Sequence, residues 1–144
     1  MIRTTKRQRG VMLIEALIGM LIFSIGILAL IGMQAAAMRN TADARDRSEA
    51  AFLANQIIGQ MWLDRSNLSL YADTNPGSYA PRTDWRARVE TRLPGINIAG
   101  GTRVPSITVT VVPNNEVTVR IFWLRPGETQ QRLFDITGYI NGAT

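Results

Sequence analysis

Hydrophobic and polar positions divide the chain at Arg39. From Val11 to Met38 the only ionisable side chain is Glu15, whereas charged, polar and apolar residues intermingle beyond Arg39. As a helix rising about 1.5 Å per residue, the uncharged stretch 16–38 is about 34 Å long, enough to cross a hydrocarbon core of about 30 Å. The run exceeds the roughly 7–15 apolar residues of an ordinary secretory signal. Ala35-Ala36-Ala37 imitates a signal cleavage site, but a cut there would discard the whole anchor. Basic residues before the span and mixed charge after it keep the N-terminus cytoplasmic and send the remainder across the membrane.

Beyond Met38 the pattern predicts that the helix continues as an amphipathic rod, since no proline occurs before Pro76. Arg39/Asp43, Asp43/Arg47 and Arg45/Glu49 stand four apart, as exposed charge pairs on a helix do. Ala50, Leu53, Ala54, Ile57, Ile58 and Met61, with Trp62 beside them, form the stripe against which a sheet would pack. A helix from Val11 to about Asp64 would be roughly 80 Å long, so about half of it would project beyond a bilayer.

Residues 66–84 are rich in Ser, Asn, Asp, Pro, Gly and Tyr, carry the turn signal Asn75-Pro76-Gly77, and read as a connecting loop. Its aromatic residues Tyr71 and Tyr79, with Trp85, are expected to fold onto the chain's own sheet rather than to contact another subunit. From Trp85 onward the period becomes two. Segments 86–93, 106–112, 116–124 and 132–140 are predicted strands, separated by turns at Pro94-Gly95, Pro113-Asn114-Asn115 and Pro126-Gly127. Short connections favour an antiparallel meander. Val117, Val119, Ile121 and Trp123 share one face, as do Phe134, Ile136 and Ile140, and these should meet the helix stripe. Thr118 and Arg120 share the other face with Phe122 and Leu124, which read as strand-end burial or a partner patch. The predicted fold class is α+β: a long N-terminal α-helical spine, hydrophobic in its first half, packed against a C-terminal antiparallel β-sheet.

Composition narrows the chemistry. The 144 residues suit one modest domain plus an anchor. The formal charge of +5 arises from 16 basic and 11 acidic residues; Arg3, Lys6, Arg7 and Arg9 precede the apolar run, and without these four 12 bases face 11 acids. A nucleic-acid partner is therefore not expected. The cluster Arg82, Arg86, Arg88 and Arg92 is interrupted by Asp84 and Glu90 and reads as a solvated strand face. With no cysteine and no histidine, disulfides, thiol chemistry, the usual zinc sites and nucleophile–histidine arrangements are excluded. Asp73, Asp84, Glu90, Glu116, Glu128 and Asp135 sit in no recognisable catalytic motif, and Gly100-Gly101 reads as a loop rather than a phosphate cradle. No enzyme activity, catalytic residue, cofactor or metal is expected.

Glu15 needs a cation. An ionised carboxylate within an apolar helix costs several kcal/mol unless it is paired or lies near the interface. The nearest bases are Arg9 and Arg39, both outside the apolar run. Either Glu15 sits shallowly and pairs with Arg9 or a lipid amine, or its partner belongs to another molecule. Gly19 and Gly26 are seven apart and share a helix face, and Gly32 follows. They serve close helix packing or bending, or are simply tolerated, as glycine is in membrane helices.

The stretch Arg9-Gly10-Val11-Met12-Leu13-Ile14-Glu15 resembles the processing signal of type IV pilins and type II secretion pseudopilins: a short basic leader ending in glycine, a hydrophobic residue, and a glutamate four positions later. The resemblance implies that a membrane-embedded prepilin peptidase cuts between Gly10 and Val11 and that the new Val11 amine is N-methylated. It also implies that Glu15 faces the Val11 amine of a neighbouring subunit in the filament. The continuation, with Ser24-Ile25-Gly26-Ile27-Leu28 and Gly32-Met33-Gln34, is most similar to the minor pilins called type IV pilus modification protein PilV. Where major pilins typically carry a helix-loosening proline, this chain has Gly32.

The resemblance divides the chain into a leader 1–10, a membrane or filament-core helix 11–38, an amphipathic helix 39–65, a loop 66–84 and a sheet 85–144. It implies a single-pass inner-membrane protein with a periplasmic head that later joins a pilus at the cell surface. The implied partners are other minor pilins, the major pilin, the prepilin peptidase and the inner-membrane assembly platform. Two alternatives stay open: a minor pseudopilin of a type II secretion system, and an uncleaved, signal-anchored periplasmic binding domain.

Overall fold

The computed structural model describes residues 9–110 and 114–141, with side chains from Val11 onward. The chain divides after Asp43 into two compact units. The leader residues 1–8, and Val111, Val112 and Pro113 of the expected strand and turn, lie outside the described residues.

Helix α1 covers Arg9–Leu63. Its portion in the first unit is long and apolar enough to cross a membrane. Two of its hydroxyls bond within the helix: that of Ser24 donates to the Met20 carbonyl at 2.7 Å and that of Thr41 to the Ala37 carbonyl at 2.9 Å. Such back-bonding is how hydroxyls persist where water is absent. The helix runs without interruption through Gly32.

In the second unit α1 turns one face inward. Ala50, Leu53, Ala54, Ile57 and Met61 are buried and Ile58 packs at their margin, as their spacing predicts. Trp62 instead remains 43% exposed. After Leu63 the chain tightens into a 3₁₀ segment, Arg65–Tyr71, which buries Leu68 and Tyr71. Helix α2 then covers Ala80–Arg92.

Helix α2 replaces the strand expected at 86–93 and the later part of the expected loop 66–84. Pro81 lies in its first turn, where a residue without an N–H loses no hydrogen bond and φ is already helical. Its buried residues, Arg82, Trp85 and Val89, recur at intervals of three and four. The Trp85 indole donates to the Leu53 carbonyl of α1 at 2.9 Å, tying the two helices together while satisfying a buried N–H. The sheet consequently begins at Ser106 rather than near Trp85.

Strands β1 (Ser106–Thr110), β2 (Glu116–Trp123) and β3 (Arg132–Tyr139) form an antiparallel sheet in the order β1-β2-β3. Val119 lies opposite both Ile107 and Ile136, and Ile121 opposite Phe134. Val117, Val119, Ile121 and Trp123 are completely buried against the α1 stripe and α2, and Phe134 and Ile136 pack at the margin of the same core. The fold is therefore α+β, a long N-terminal helix with a three-stranded antiparallel sheet. Phe122, on the opposite side of β2, and Leu124, just beyond its end, are half-buried.

Candidate functional site

The N-terminal segment is built on α1. Gly10 lies within the helix, and Val11 follows with 69% of its surface exposed. Glu15 is also exposed, and among the described residues no side chain bonds or ion-pairs with it. Four residues on from Val11, it lies on the same face and about 6 Å along the axis. Apolar side chains surround it: Leu13, Ile14, Leu17 and Ile18 are all more than half exposed. The unit thus presents one carboxylate on an otherwise uncharged, unburied helix surface.

A methyl group added at Gly19, Gly26 or Gly32 would meet nothing within 4 Å. Each glycine leaves an open notch in the helix surface, suited to the approach of another helix. Glu15, Gly19 and Gly26 follow at intervals of four and seven, so they occupy one stripe. Gly32 lies off that stripe.

In the second unit the arginine cluster expected on a strand face is distributed over α2. Arg82 is buried and donates to the Ala72, Asn75 and Gly77 carbonyls, which fastens the segment after the 3₁₀ turn. Arg86 pairs with Asp73 at 2.5 Å and Arg92 with Glu49 at 2.8 Å. Arg88 is exposed. The Arg92–Glu49 pair, with Arg125 to Asp46 at 3.4 Å, ties α1 to neighbouring elements, while Arg86–Asp73 fastens α2 to the segment after the 3₁₀ turn. A shallow cleft of about 310 Å³ lies among Arg45, Asp46, Glu49, Thr91 and Arg92, with its charges already opposed to one another.

Asp64, at the end of α1, is a second hub. It accepts hydrogen bonds from the Tyr79 hydroxyl, from Tyr71 at 3.2 Å and from the Asn67 amide at 2.7 Å. The bonds from Tyr79 and then Asn67 hold its carboxyl below the usual carboxylate range. Burial, followed by the Asp64 charge, pushes the Tyr71 hydroxyl well up, and the bond to Asp64 raises that of Tyr79. The two tyrosine rings meet edge to face at 4.9 Å. Tyr71 and Trp85 are buried and Tyr79 packs against the core, so all three fold onto their own unit, as expected.

Arg82 and Asp64 were not legible as anchors in the sequence. The available signal for Arg82 was its place three residues before Trp85, on the stripe that includes Val89. Among the described residues, no three His, Cys, Asp or Glu side chains gather as metal ligands. No family model, curated protein or solved structure matches this chain.

Proposed function

We propose that the chain is a minor pilin subunit of a type IV pilus, processed by prepilin peptidase between Gly10 and Val11 and taking part in pilus assembly or its initiation. The observation that carries this reading is Glu15: one unpartnered carboxylate on an exposed apolar helix, directly behind a basic leader that ends in glycine. Peptide-bond hydrolysis after Gly10 creates an α-amine on Val11, which is cationic below its ordinary pKa of about 8 and remains so after methylation. Such an amine from a neighbouring subunit supplies the cation that Glu15 lacks. Pairing within a packed, low-dielectric helix bundle strengthens the attraction and penalises a subunit left without its partner.

The remaining features fit a structural subunit. The apolar part of α1 serves first as a membrane anchor and then as filament core, with the head exported to the periplasm and later to the cell surface. Glycine notches at Gly19 and Gly26 let helices approach. Its partners would be the major pilin, other minor pilins, the peptidase and the inner-membrane assembly platform. The chain performs no catalysis in this scheme. Resemblance of the 24–34 segment to the PilV group favours pilus membership over a type II secretion pseudopilus.

The test is the mature N-terminus together with the fate of Glu15→Ala. N-terminal sequencing and intact mass of the envelope protein are expected to give a chain beginning at methylated Val11; an intact Met1 rejects both pilin and pseudopilin. Glu15→Ala is expected to leave cleavage largely intact and to reduce the amount in sheared filaments. Normal incorporation would remove the assembly role from Glu15, and recovery with secretion components instead of pili would identify a pseudopilin.

A further inference from the structure

The two edges of the sheet are finished differently. Ile140 donates to the Asn115 carbonyl at 3.0 Å. In the antiparallel alternation, this places Arg132, Phe134, Ile136 and Gly138 in bonded pairs with β2 and turns the backbone groups of Leu133, Asp135, Thr137 and Tyr139 outward. By the same alternation, Ile107 faces outward from β1. There its edge is closed, because Asp73 donates its N–H to the Ile107 carbonyl at 2.9 Å and accepts the Ile107 N–H on its carboxylate at 3.0 Å. On β3 no described residue bonds the outward groups.

Edge strands are ordinarily protected by proline, charged side chains, a bulge or short length. Strand β3 is eight residues long, contains no proline, carries charge only at Arg132, which pairs with Glu128, and at Asp135, and pairs with β2 in unbroken register. Apolar groups stand on both of its faces: on the exposed face Leu133 is 48% and Tyr139 52% exposed, beside Asp135 and Thr137, and on the other Phe134 and Ile136 are only half-buried at the rim of the core. A methyl at Gly138 would meet nothing within 4 Å, so the strand has an open notch beside Ile136. Glycine in a strand marks a place where a neighbour approaches closely or an aromatic ring can cover the gap. Asp135, opposite Arg120 of β2, is the only acidic residue of β3 and is exposed, and among the described residues it makes no ion pair.

We propose that the outer edge of β3 is a strand-addition site for an extended segment of another polypeptide. The charge and shape of the edge define that segment. It carries apolar side chains at alternate positions to cover Phe134 and Ile136, a bulky aromatic residue over Gly138, and a basic residue beside Asp135. Main-chain bonds to Leu133, Asp135, Thr137 and Tyr139 supply the affinity, and the side-chain pairs select the partner. The proposal does not depend on where, or whether, the N-terminus is cut.

The experiment uses the full chain in detergent and a soluble, fluorescently labelled eight-residue peptide with that pattern, bearing phenylalanine opposite Gly138 and lysine opposite Asp135. Hydrogen exchange is expected to be fast in the free chain at the amides of Leu133, Asp135, Thr137 and Tyr139. Saturating peptide should slow these four at least tenfold, while Phe134, Ile136 and Gly138, already bonded to β2, change little. Thr137→Pro removes one outward N–H at an edge that tolerates proline and should weaken binding at least tenfold; Thr137→Val, which loses only the hydroxyl contact with Thr118, should not. Asp135→Lys should reverse the preference from the lysine peptide to its glutamate counterpart, which keeps the test decisive if the proline variant fails to fold. Slow exchange at the four outward amides before peptide is added, equal binding by folded Thr137→Pro, or no change in preference with Asp135→Lys would overturn the proposal.

Discussion

At the scale of single residues, the second unit relies on two polar anchors whose importance follows from what they satisfy. Arg82 occupies a core position of α2, yet its guanidinium holds three backbone carbonyls of the 72–77 segment. Arginine suits this place because its planar fork reaches several acceptors at once, which a lysine ammonium on a flexible stem cannot reproduce. Arg82→Met should lower unfolding stability by about 3 kcal/mol, since hydrogen bonds from a charged donor each contribute about 1.5–3 kcal/mol and the stranded carbonyls lose their partners. Arg82→Lys should recover only part of that loss, as read from urea midpoints. Asp64 gives a pH-dependent counterpart. Its folded carboxyl titrates below the ordinary value of about 3.9, so its contribution is present above that pH and disappears as the pH falls through the lower, folded value. Asp64→Asn should flatten the acid limb of the stability curve, and denaturation at pH 6 against pH 3 measures the difference.

At the scale of elements, the packing of α1 in the second unit separates two kinds of apolar residue. Ile57 is completely buried, whereas Phe52, five residues earlier, is 55% exposed. Ile57→Ala should therefore cost about 2–5 kcal/mol through lost burial and a residual cavity. Phe52→Ala should stay within about 0.5 kcal/mol, the range of surface substitutions. Equal losses in thermal or urea unfolding would contradict the burial pattern. A turn supplies a sharper contrast. Gly95 has φ +72°, and a methyl there would collide with the Leu124 carbonyl, while Gly127 at φ +80° faces open space. Both alanine variants are strained by the left-handed backbone, but only Gly95→Ala also forces Leu124, the residue after β2, to shift, so it should be the more destabilising.

The same elements explain what the sequence disclosed. Strands β1, β2 and β3 were legible because one face is buried and the other is wet, which imposes strict alternation on Val117, Val119, Ile121 and Trp123. The α1 stripe was legible because 50–61 repeats at helical spacing over three turns. Helix α2 was obscured because Arg86-Ala87-Arg88-Val89-Glu90-Thr91-Arg92-Leu93 also alternates over a short window. Its true period emerges only when Arg82 and Trp85 are counted with Val89 and Leu93, and an arginine is not an expected member of a buried stripe. At the candidate site, the lone charge of Glu15 was visible from composition alone. The open β3 edge was not, because an unpaired strand side depends on which neighbours the fold supplies.

At the scale of the whole molecule, all the buried core residues among those described lie between Ala50 and Ile140, within the second unit, and none comes from the apolar run. The apolar run, long and apolar enough to cross a membrane, thus adds nothing to the described core of the second unit. A fragment comprising residues 44–144 should remain soluble without detergent and keep the helix and sheet signals of that unit, since every side chain in its core is retained. It should unfold in one cooperative step, as small domains with a single core usually do. The removed apolar helix would then account for detergent dependence but for little of the head's stability. Circular dichroism and urea titration of the fragment and the full chain in detergent compare the two directly. A fragment that is molten, or far less stable than the same unit in the full chain, would mean that the apolar helix supports the fold of the second unit.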